Sequence, residues 1–466
     1  PHRIEEGYGL NKTAIENLKE KGADLIITVD CGISSKKEVQ HAKDLDIEII
    51  ITDHHEPNAH KSELPEAIAI INPKLTNKSF IKDLSGAGVA FKLAWAILNN
   101  SFIERTSPPF HKFIVDAMTL VAMGTIADVV PLIGENRILV YYGLQSFKAC
   151  KIPGLKALID KSRILGKEIQ PRDIAYGLAP RLNAGGRLST ATKGVDLLIS
   201  ESTAVAEEIA NYLDLANRER QKIETKILEE VRSKIQKEYD LSKNPILVIA
   251  SDSWHPGVIG IVASRIAEEF YRPVIIISKT GTIGKGSGRS IAGFHLYNAL
   301  NSCKHLFESF GGHALAAGLE IKVELIPELV SHLLTQARIM PPPEGPAPLL
   351  IDSEIELSSI NRKLSREIDM LQPFGEGNPE PILATHNVRL AGQPRLMGRN
   401  SDHLEFFVKQ NNKAFRVVAF GQGQQIDNIE SLKDKDFSIA YNIRFNDFMG
   451  KEDVEFHLKG IKETNK

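Results

Sequence analysis

The sequence has few cysteines and no long apolar run, and each shortage excludes a class of protein. Its three cysteines, Cys31, Cys150 and Cys303, lie far apart in the chain, which excludes a disulfide framework and a cysteine-based zinc cluster. No uncharged apolar run reaches the ~20 residues that a membrane-spanning helix needs. These absences predict a cytoplasmic protein that does not insert into a membrane.

An excess of charge of either sign is also lacking. The net charge is −2 at pH 7, so any polyanion would have to bind at a local basic patch. The chain has 466 residues, 42% of them hydrophobic. Because single cores stop growing at roughly 250 to 300 residues, two or three domains are expected.

The hydrophobic pattern changes along the chain. Strand-like and helical runs alternate at 24–30, 34–44, 47–53 and 67–72. This alternation predicts a parallel sheet covered on both faces. A charged run at 202–239 has apolar residues at helical spacing, which predicts one long helix, and its length favours a connector between two lobes. A second α/β lobe is predicted from 245, and short segments with period-two alternation after Thr385 predict a small β-barrel or sandwich.

Five polar residues are expected where strands or a helix end. Asp53, His54 and His55 follow one predicted strand, Asp30 ends its neighbour, and Asp128 interrupts an apolar run at a predicted helix end. Ligands of open parallel sheets bind at the carboxyl ends of the strands, and these side chains suit Mg²⁺ or Mn²⁺ and phosphoester hydrolysis. The alternatives are helix caps and surface imidazoles.

Glycine-rich stretches suggest a second site. "GKGSGRS" (284–290) predicts a turn whose amides and Arg289 face an anion. "FGGHALAAG" (310–318) places His313 before a predicted small-residue helix, which suits a phosphate at the helix N-terminus or, alternatively, close helix packing. "PRLNAGGRL" (180–188) adds arginines in what is otherwise a surface loop.

Many of these motifs resemble the DHH phosphoesterase family, and within it the RecJ-type exonucleases. The similar motifs, in family order, are VDCG, TDHH, GTIADVVPL, GLAPRLNAGGR, SWHPGVIGIVASR, KGSGRS, FGGHALAAG and PFGEGNPEP. The resemblance covers nearly the whole chain. It implies a single-stranded-DNA-specific 5′ to 3′ exonuclease that hydrolyses phosphodiester bonds with two Mn²⁺ or Mg²⁺ ions in recombination and repair.

The resemblance also implies roles for single residues. Asp30, His54 and Asp128 would be metal ligands, and His55, close to the scissile phosphate, would be catalytic together with Asp53. The residues implied to contact DNA are Arg187, Ser287, Arg289 and His313, with Arg3 a candidate for the 5′ phosphate.

The implied architecture is an α/β fold with a parallel-sheet DHH lobe joined by a long helix to a second α/β lobe, plus a C-terminal OB-like β-barrel. The expected domains are the DHH domain (1–200, its N-terminal part missing), the connector helix (201–240), the DHH-associated domain (241–342) and the OB-like domain (343–466). The implied partners are single-stranded DNA with a 5′ end, single-strand-binding protein and a RecQ-type helicase. A monomer is expected.

One part of the family pattern, an aspartate-rich motif upstream of the residues that match 1–10, is not found. The "DLD" at 44–46 lies at a predicted helix end and is no substitute. A chain without that motif is expected to be truncated, to bind metal poorly and to cleave slowly or not at all. Two alternatives stay open: a DHH phosphodiesterase for short oligonucleotides or cyclic dinucleotides, and a catalytically inert single-strand-binding scaffold.

Overall fold

The structure is a computed structural model, and it describes residues 9–57, 64–76, 79–101, 103–164, 168–188, 191–343, 345–398, 400–448 and 451–464. Arg3 lies outside the described residues. The chain divides into two compact units. The first unit comprises 1–75, 92–117 and 146–347, and the second comprises 76–91, 118–145 and 348–466.

The N-terminal elements alternate between helix and strand, as the hydrophobic pattern predicts. In chain order they are α1 (Lys12–Glu20), β1 (Leu25–Val29), α2 (Lys36–Asp44), β2 (Glu48–Thr52), β3 (Ala69–Ile71), α3 (Gly86–Asn99) and α4 (Pro108–Ala127). The three strands form a parallel sheet in the order β1, β2, β3. The core on one face contains Ile15 and Val39 from the helices and Ile49 and Ile51 from β2.

The expectation of a sheet covered on both faces does not hold at β1. Within the part of the chain that the structure describes, Leu25, Ile27 and Val29 are exposed. These are alternate residues of one strand, so they share one face of the sheet.

Helix α4 is long and apolar enough, by length and composition, to cross a membrane. A buried helix of a globular core passes the same test, and α4 carries Lys112 and Asp116 in its first half. Its last two turns bury Val121, Ala122 and Ile126. This burial favours a core helix.

The middle of the chain is helical. The helices are α5 (Gly134–Ser146), α6 (Pro153–Lys161), α7 (Pro171–Asp173), α8 (Ala179–Leu188), α9 (Thr192–Ile199) and α10 (Thr203–Glu238). The long helix predicted at 202–239 is therefore confirmed. Two acidic residues of α10 form ion pairs with flanking helices. Asp214 pairs with Arg181 of α8 at 2.9 Å. Glu224 pairs at 2.8 Å with Arg265, which lies in the helix that follows the next strand.

A five-stranded sheet follows the long helix. Its elements and the adjoining helices are β4 (Leu247–Ser251), α11 (Ile259–Phe270), β5 (Val274–Thr280), β6 (Ile283–Arg289), α12 (Leu296–Asn301), β7 (Phe307–Gly312), β8 (Ala316–Lys322) and α13 (Ile326–Ile339). The strand order is β4, β5, β6, β8, β7. Only β4 and β5 run parallel.

Two predictions of local structure are wrong here. The stretch "GKGSGRS" is not a turn, because all of it but its last residue belongs to β6 and pairs with β5 and β8. Its backbone amides therefore serve the sheet and do not cradle an anion. The residues after His313 form strand β8 and not a helix. His313 lies in the β7–β8 loop, where its N–H donates to Ala316 O at 2.8 Å.

The C-terminal segment forms the predicted barrel. Its elements are β9 (Ser353–Glu354), α14 (Arg362–Asp369), β10 (Leu383–Leu390), β11 (Arg395–Met397), β12 (His403–Gln410), β13 (Lys413–Ala419), α15 (Ile426–Glu430), β14 (Phe437–Phe448) and β15 (Lys451–Glu463). The order β12, β13, β15, β14, β10 closes through pairing of β10 with β12. Phe406, Phe437, Tyr441 and Phe456 are buried in its core.

Candidate metal centre and nucleic-acid site

The predicted metal ligands and catalytic residues of the first unit lie at the carboxyl ends of the parallel strands. Asp30 follows β1, and Asp53, His54 and His55 follow β2. Two threonines tie the strand ends together: Thr52 Oγ1 donates to the Thr28 carbonyl at 2.6 Å, and the Thr52 N–H donates to Thr28 Oγ1 at 3.2 Å. The register of the sheet therefore carries the four side chains to one edge.

Asp30, His54 and His55 form a compact group, with one ligand atom of each within 4.8 Å of the others. His54 Nε2 lies 3.0 Å from Asp30 Oδ1. The Asp30 and His55 side chains are about half exposed, at 50% and 48%, whereas the His54 side chain is 11% exposed. The group thus has one side held by the protein and one side open.

Asp53 lies beneath this group and is 1% exposed. Its carboxylate accepts hydrogen bonds from the backbone N–H groups of Ile33, His54 and His55 at 2.9, 2.7 and 3.2 Å. Burial by itself would raise the pKa of Asp53, but the hydrogen bonds from the His55 ring and the backbone amides lower it to about 2. Asp53 is therefore a carboxylate that orients its neighbours.

His55 is held from two sides. Its Nδ1 lies 2.7 Å from Asp53 Oδ1, and because that carboxylate is ionised, Nδ1 carries the proton and Nε2 is left as the acceptor. The His55 carbonyl accepts from Asn72 Nδ2 at 3.0 Å. Asn72 was missed in the sequence, although it is the polar residue that ends the third strand-like run.

The local electrostatic potential is negative. Burial raises the pKa of the Cys31 thiol, and the charges of Asp53 and Asp30 raise it further. A cation bound at the open side would relieve this potential. Imidazole and carboxylate ligands together suit a first-row divalent ion such as Mn²⁺, so the residues present fit the expected metal.

Asp128 belongs to the second unit. It directly follows α4, and its N–H donates to Gly124 O at 3.0 Å. The next residue, Val129, has a left-handed backbone with φ 57°, which is unusual for a β-branched side chain. The predicted position at a helix end is confirmed, while the metal-ligand role of Asp128 stays a prediction.

Three of the predicted DNA-contacting residues surround the start of α11. A Cβ on Gly257 would lie 2.2 Å from Arg187 O, and a Cβ on Gly260 would lie 3.1 Å from Ser287 Oγ. Arg289 reaches the same helix, where its Nε donates to Ser264 Oγ at 3.1 Å. The two glycines therefore allow α8 and β6 to approach the helix N-terminus.

The alternation of β6 explains why its polar residues face α11. Gly284, Gly286 and Gly288 are buried, and side chains added there would meet the core residues Ile277, Leu319 and Leu296. The alternate residues, Lys285, Ser287 and Arg289, point to the other face. A period of two within "GKGSGR" was the signal for a strand.

His255 and His313 complete this region. His255 Nδ1 accepts the Gly257 N–H at 3.1 Å, and burial lowers the pKa of His255. His255 lies in the motif SWHPGVIGIVASR but is not among the site residues predicted from the sequence. His313 is exposed, and Ala316, which accepts its N–H, pairs with Arg289 across β6 and β8.

Three family models match successive parts of the chain. The DHH family N-terminal domain matches residues 2–125, the DHHA1 domain matches 243–338, and the RecJ OB domain matches 351–460. Each coincides with one of the sheets described above.

Curated relatives and solved structures match over most of the chain. The single-stranded-DNA-specific exonuclease RecJ of Escherichia coli is 35% identical over 99% of this chain and 81% of the relative, and that of Bacillus subtilis is 37% identical over 98% and 56%. The Mn²⁺ complex of RecJ from Thermus thermophilus superposes with a TM-score of 0.83 at 30% identity, covering 98% of this chain and 64% of that chain. The chain thus spans just over half the length of the Bacillus relative.

Proposed function

Because the chain belongs to the RecJ family of single-stranded-DNA-specific exonucleases, we propose that it removes nucleotides from single-stranded DNA in the 5′ to 3′ direction, in recombination and repair. The observation that carries the proposal is the convergence of Asp30, His54 and His55, with one ligand atom of each within 4.8 Å of the others. The Thermus relative is a complex with Mn²⁺, and a second structure of it is a complex with Mg²⁺.

In this proposal Asp30, His54 and Asp128 hold divalent ions of the Mn²⁺ or Mg²⁺ type. Such ions, when bound, polarise a phosphoryl oxygen and lower the pKa of a water ligand. His54 suits ligation because it is 9% exposed and its Nε2 already lies 3.0 Å from Asp30, so little side-chain freedom is lost on binding.

His55 would act at the scissile phosphate. Its Nδ1 is engaged by Asp53 at 2.7 Å, and its side chain is 48% exposed. The outward Nε2 can therefore bind an ion as the neutral ring or donate to a phosphate oxygen as the charged ring. Asp53, placed in the catalytic group from the sequence, would contribute by holding the tautomer and orientation of His55.

The predicted DNA-contacting residues at the start of α11 would bind the single-stranded DNA. Arg187, whose Nη1 donates to Gly257 O at 3.4 Å, offers a guanidinium beside the N-terminus of α11, and Arg289 and Ser287 add a guanidinium and a hydroxyl. A helix N-terminus favours phosphate. His313, exposed in the β7–β8 loop, would extend this surface. Arg3 remains a sequence-based candidate for the 5′ phosphate, outside the described residues.

The barrel would bind further nucleotides by stacking. Phe407 and Phe420 are 40% and 47% exposed, and the Phe420 ring lies 5.3 Å from the ring of His403 and 5.0 Å from that of His457. Exposed rings of this kind stack on bases of any sequence. Phe406 is unsuitable because it is buried in the barrel core.

The proposal extends to the setting of the protein. A DNA-processing enzyme of this family would act in the cytoplasm on strands with a free 5′ end. Single-strand-binding protein, a RecQ-type helicase and a monomeric state remain predictions from the resemblance.

The test compares the chain with its Asp128→Ala variant on 5′-labelled and 3′-labelled single-stranded DNA in Mn²⁺, with binding measured separately in EDTA. We expect release of the 5′ label first, loss of cleavage in the variant, and equal DNA binding by both. Cleavage from the 3′ end would contradict the proposed direction. Binding without any cleavage by either protein is the outcome expected if the missing upstream aspartate motif is required for the reaction, and this chain would then act as the scaffold alternative describes.

A further inference from the structure

The segment that follows Asp128 is held by a turn from a distant part of the same unit. We define the Asp128 segment as residues 128–137 and the glycine turn as residues 371–381. We propose that the glycine turn is a positioning device for Asp128, so that the C-terminal part of the chain controls the affinity for the metal. This inference rests on the proposed function, in which Asp128 is a metal ligand.

The Asp128 segment begins in a conformation that needs support. Val129 has φ 57°, and the residue is 65% exposed. A β-branched residue is disfavoured in the left-handed region, and the exposed side chain contributes little burial to compensate. Such backbone persists where the surrounding structure holds it.

The glycine turn accepts three hydrogen bonds from this segment, the longest of them from Arg137 Nη2 to Gln372 O at 3.4 Å. The Leu132 N–H donates to Glu376 O at 2.7 Å. Arg137 Nη2 donates to Leu371 O at 2.7 Å, across 234 residues of sequence. The Leu132 bond joins two backbones and lies four residues beyond Asp128, so a shift of the turn moves the backbone that carries the carboxylate.

The turn also packs closely against the segment. Gly377 has φ 69°, and a Cβ built on it would lie 3.0 Å from Pro131 Cβ and 3.4 Å from Pro131 Cα. Proline is rigid, so it cannot move aside as a flexible side chain can. Glycine at 377 therefore allows both the left-handed backbone and the close approach to Pro131.

The turn is itself internally braced. Asn378 Nδ2 donates to Pro373 O at 2.8 Å and to Leu371 O at 3.1 Å. Gly375 and Asn378 also exchange two backbone hydrogen bonds, at 3.0 and 3.2 Å. A braced turn transmits a displacement to its neighbour, because it does not absorb the displacement by deforming.

The experiment measures Mn²⁺ binding to the full chain by calorimetry. Gly377→Ala is compared with Gly392→Ala, at a glycine of the same unit with φ 88°, where no atom of the described residues lies within 4 Å of an added Cβ. Both variants carry the same kind of backbone strain, but only Gly377→Ala presses on Pro131. We expect Gly377→Ala to bind Mn²⁺ about 10-fold more weakly, as loss of a group that orients a ligand typically does, and Gly392→Ala to bind like the wild type.

A second pair of variants tests the side-chain bond. Arg137→Ala should weaken Mn²⁺ binding, and Arg137→Lys should recover part of the loss because a lysine can still reach a carbonyl. The matched control is Arg389→Ala, an exposed arginine of the same unit paired with Asp436. In cleavage assays, saturating Mn²⁺ should restore the rate of Arg137→Ala, which a general loss of folding would not allow.

A double variant separates this inference from the proposed function. If the turn acts through Asp128, Gly377→Ala should add no further loss of Mn²⁺ affinity in an Asp128→Ala background. An added loss there, or unchanged affinity in Gly377→Ala while Asp128→Ala loses it, overturns the inference and leaves the metal centre standing. Unchanged affinity in Asp128→Ala, or no Mn²⁺ binding by the wild type, overturns the ligand assignment and the inference together.

Discussion

The strand-end cluster (Asp30, Asp53, His54, His55) and a cluster on the barrel both combine acidic with basic side chains, but they differ in how the acidic charges are paired. The barrel cluster consists of Arg395, Glu405, Arg416, Glu455 and His457. Its two carboxylates are matched by two guanidinium groups. In the strand-end cluster, as far as the described residues show, the two carboxylates are paired with imidazoles and not with guanidinium groups.

The two clusters also differ in how the backbone brings their charged side chains together. In the barrel, Arg395 is directly opposite Glu405, and Arg416 is directly opposite Glu455, so the ladder register makes the pairs. The strand-end side chains follow the last residue of each strand and reach past the sheet edge. An acid paired with arginine in a ladder has its charge compensated within the fold, whereas acids paired with imidazoles at an edge leave a place for a cation.

Removing one charge from the strand-end cluster should have the largest effect. We expect Asp30→Asn to lower Mn²⁺-dependent cleavage at least ~100-fold, the upper end of what loss of a supporting partner of a metal ligand costs, without lowering thermal stability. The control is Asp46→Asn, an exposed aspartate with a similar left-handed backbone, φ 53° against 61° for Asp30. Equal activity in the two variants would show that Asp30 is not a ligand.

Breaking the barrel cluster should affect stability and leave metal binding unchanged. Arg416→Ala removes one partner of Glu405, which is 4% exposed, and one partner of Glu455. We expect a loss of about 2–3 kcal/mol, less than for a fully buried pair because the Arg416 side chain is 32% exposed. Arg395→Ala, at a side chain that is 70% exposed, should cost below about 1 kcal/mol. Urea unfolding measures both, and similar losses would contradict the distinction.

The smallest expected effect is a pH dependence of the barrel. Burial would raise the pKa of Glu405, but contacts with Arg395 and Arg416 outweigh it and lower the pKa. A lowered pKa means that the carboxylate stabilises the fold above the ordinary glutamate value of about 4.3 and that this contribution is lost as pH falls towards the folded-state pKa. The stability difference between wild type and Glu405→Gln should therefore shrink below about pH 4.

That comparison needs a control at an exposed acid. Glu463 pairs with Lys435 at 2.9 Å, and the two side chains are 50% and 48% exposed. Glu463→Gln should show a small stability difference at every pH. If the Glu405→Gln difference were constant between pH 7 and pH 3.5 in urea unfolding, the charge of Glu405 would not be what stabilises the cluster.

The strand-end site was predictable because its signals are local. A β-branched run that ends in "TDHH" places three polar side chains at a strand terminus whatever the rest of the chain does, and parallel pairing brings the end of β1 beside them. Asp53 was harder to interpret. An aspartate at a strand end has the chemistry of a metal ligand. Its burial beneath the backbone amides of Ile33 and His54, however, depends on how the loop after β1 folds back.

The glycine-rich stretches were misread because glycine is compatible with turns and with crowded strands alike. "GKGSGR" became β6 since β5 and β8 lie on either side of it and the glycines make room for Ile277 and Leu319. The residues after His313 likewise pair with β6. Each of these strands has one partner next to it in the chain, β5 for β6 and β7 for β8. The β6–β8 pairing joins residues that are farther apart in sequence, and short-range propensity carried no information about it.

The sequence by itself determined the order of the elements, the long helix and the residues at the ends of the strands, because hydrophobic periodicity and polar breaks act over a few residues. Only the tertiary structure decided which acids are neutralised by arginine and which face an open edge. It also decided that residues 371–381 support the segment after Asp128. Charge balance and close packing depend on which side chains meet in space, and that is fixed by contacts between residues far apart in the chain.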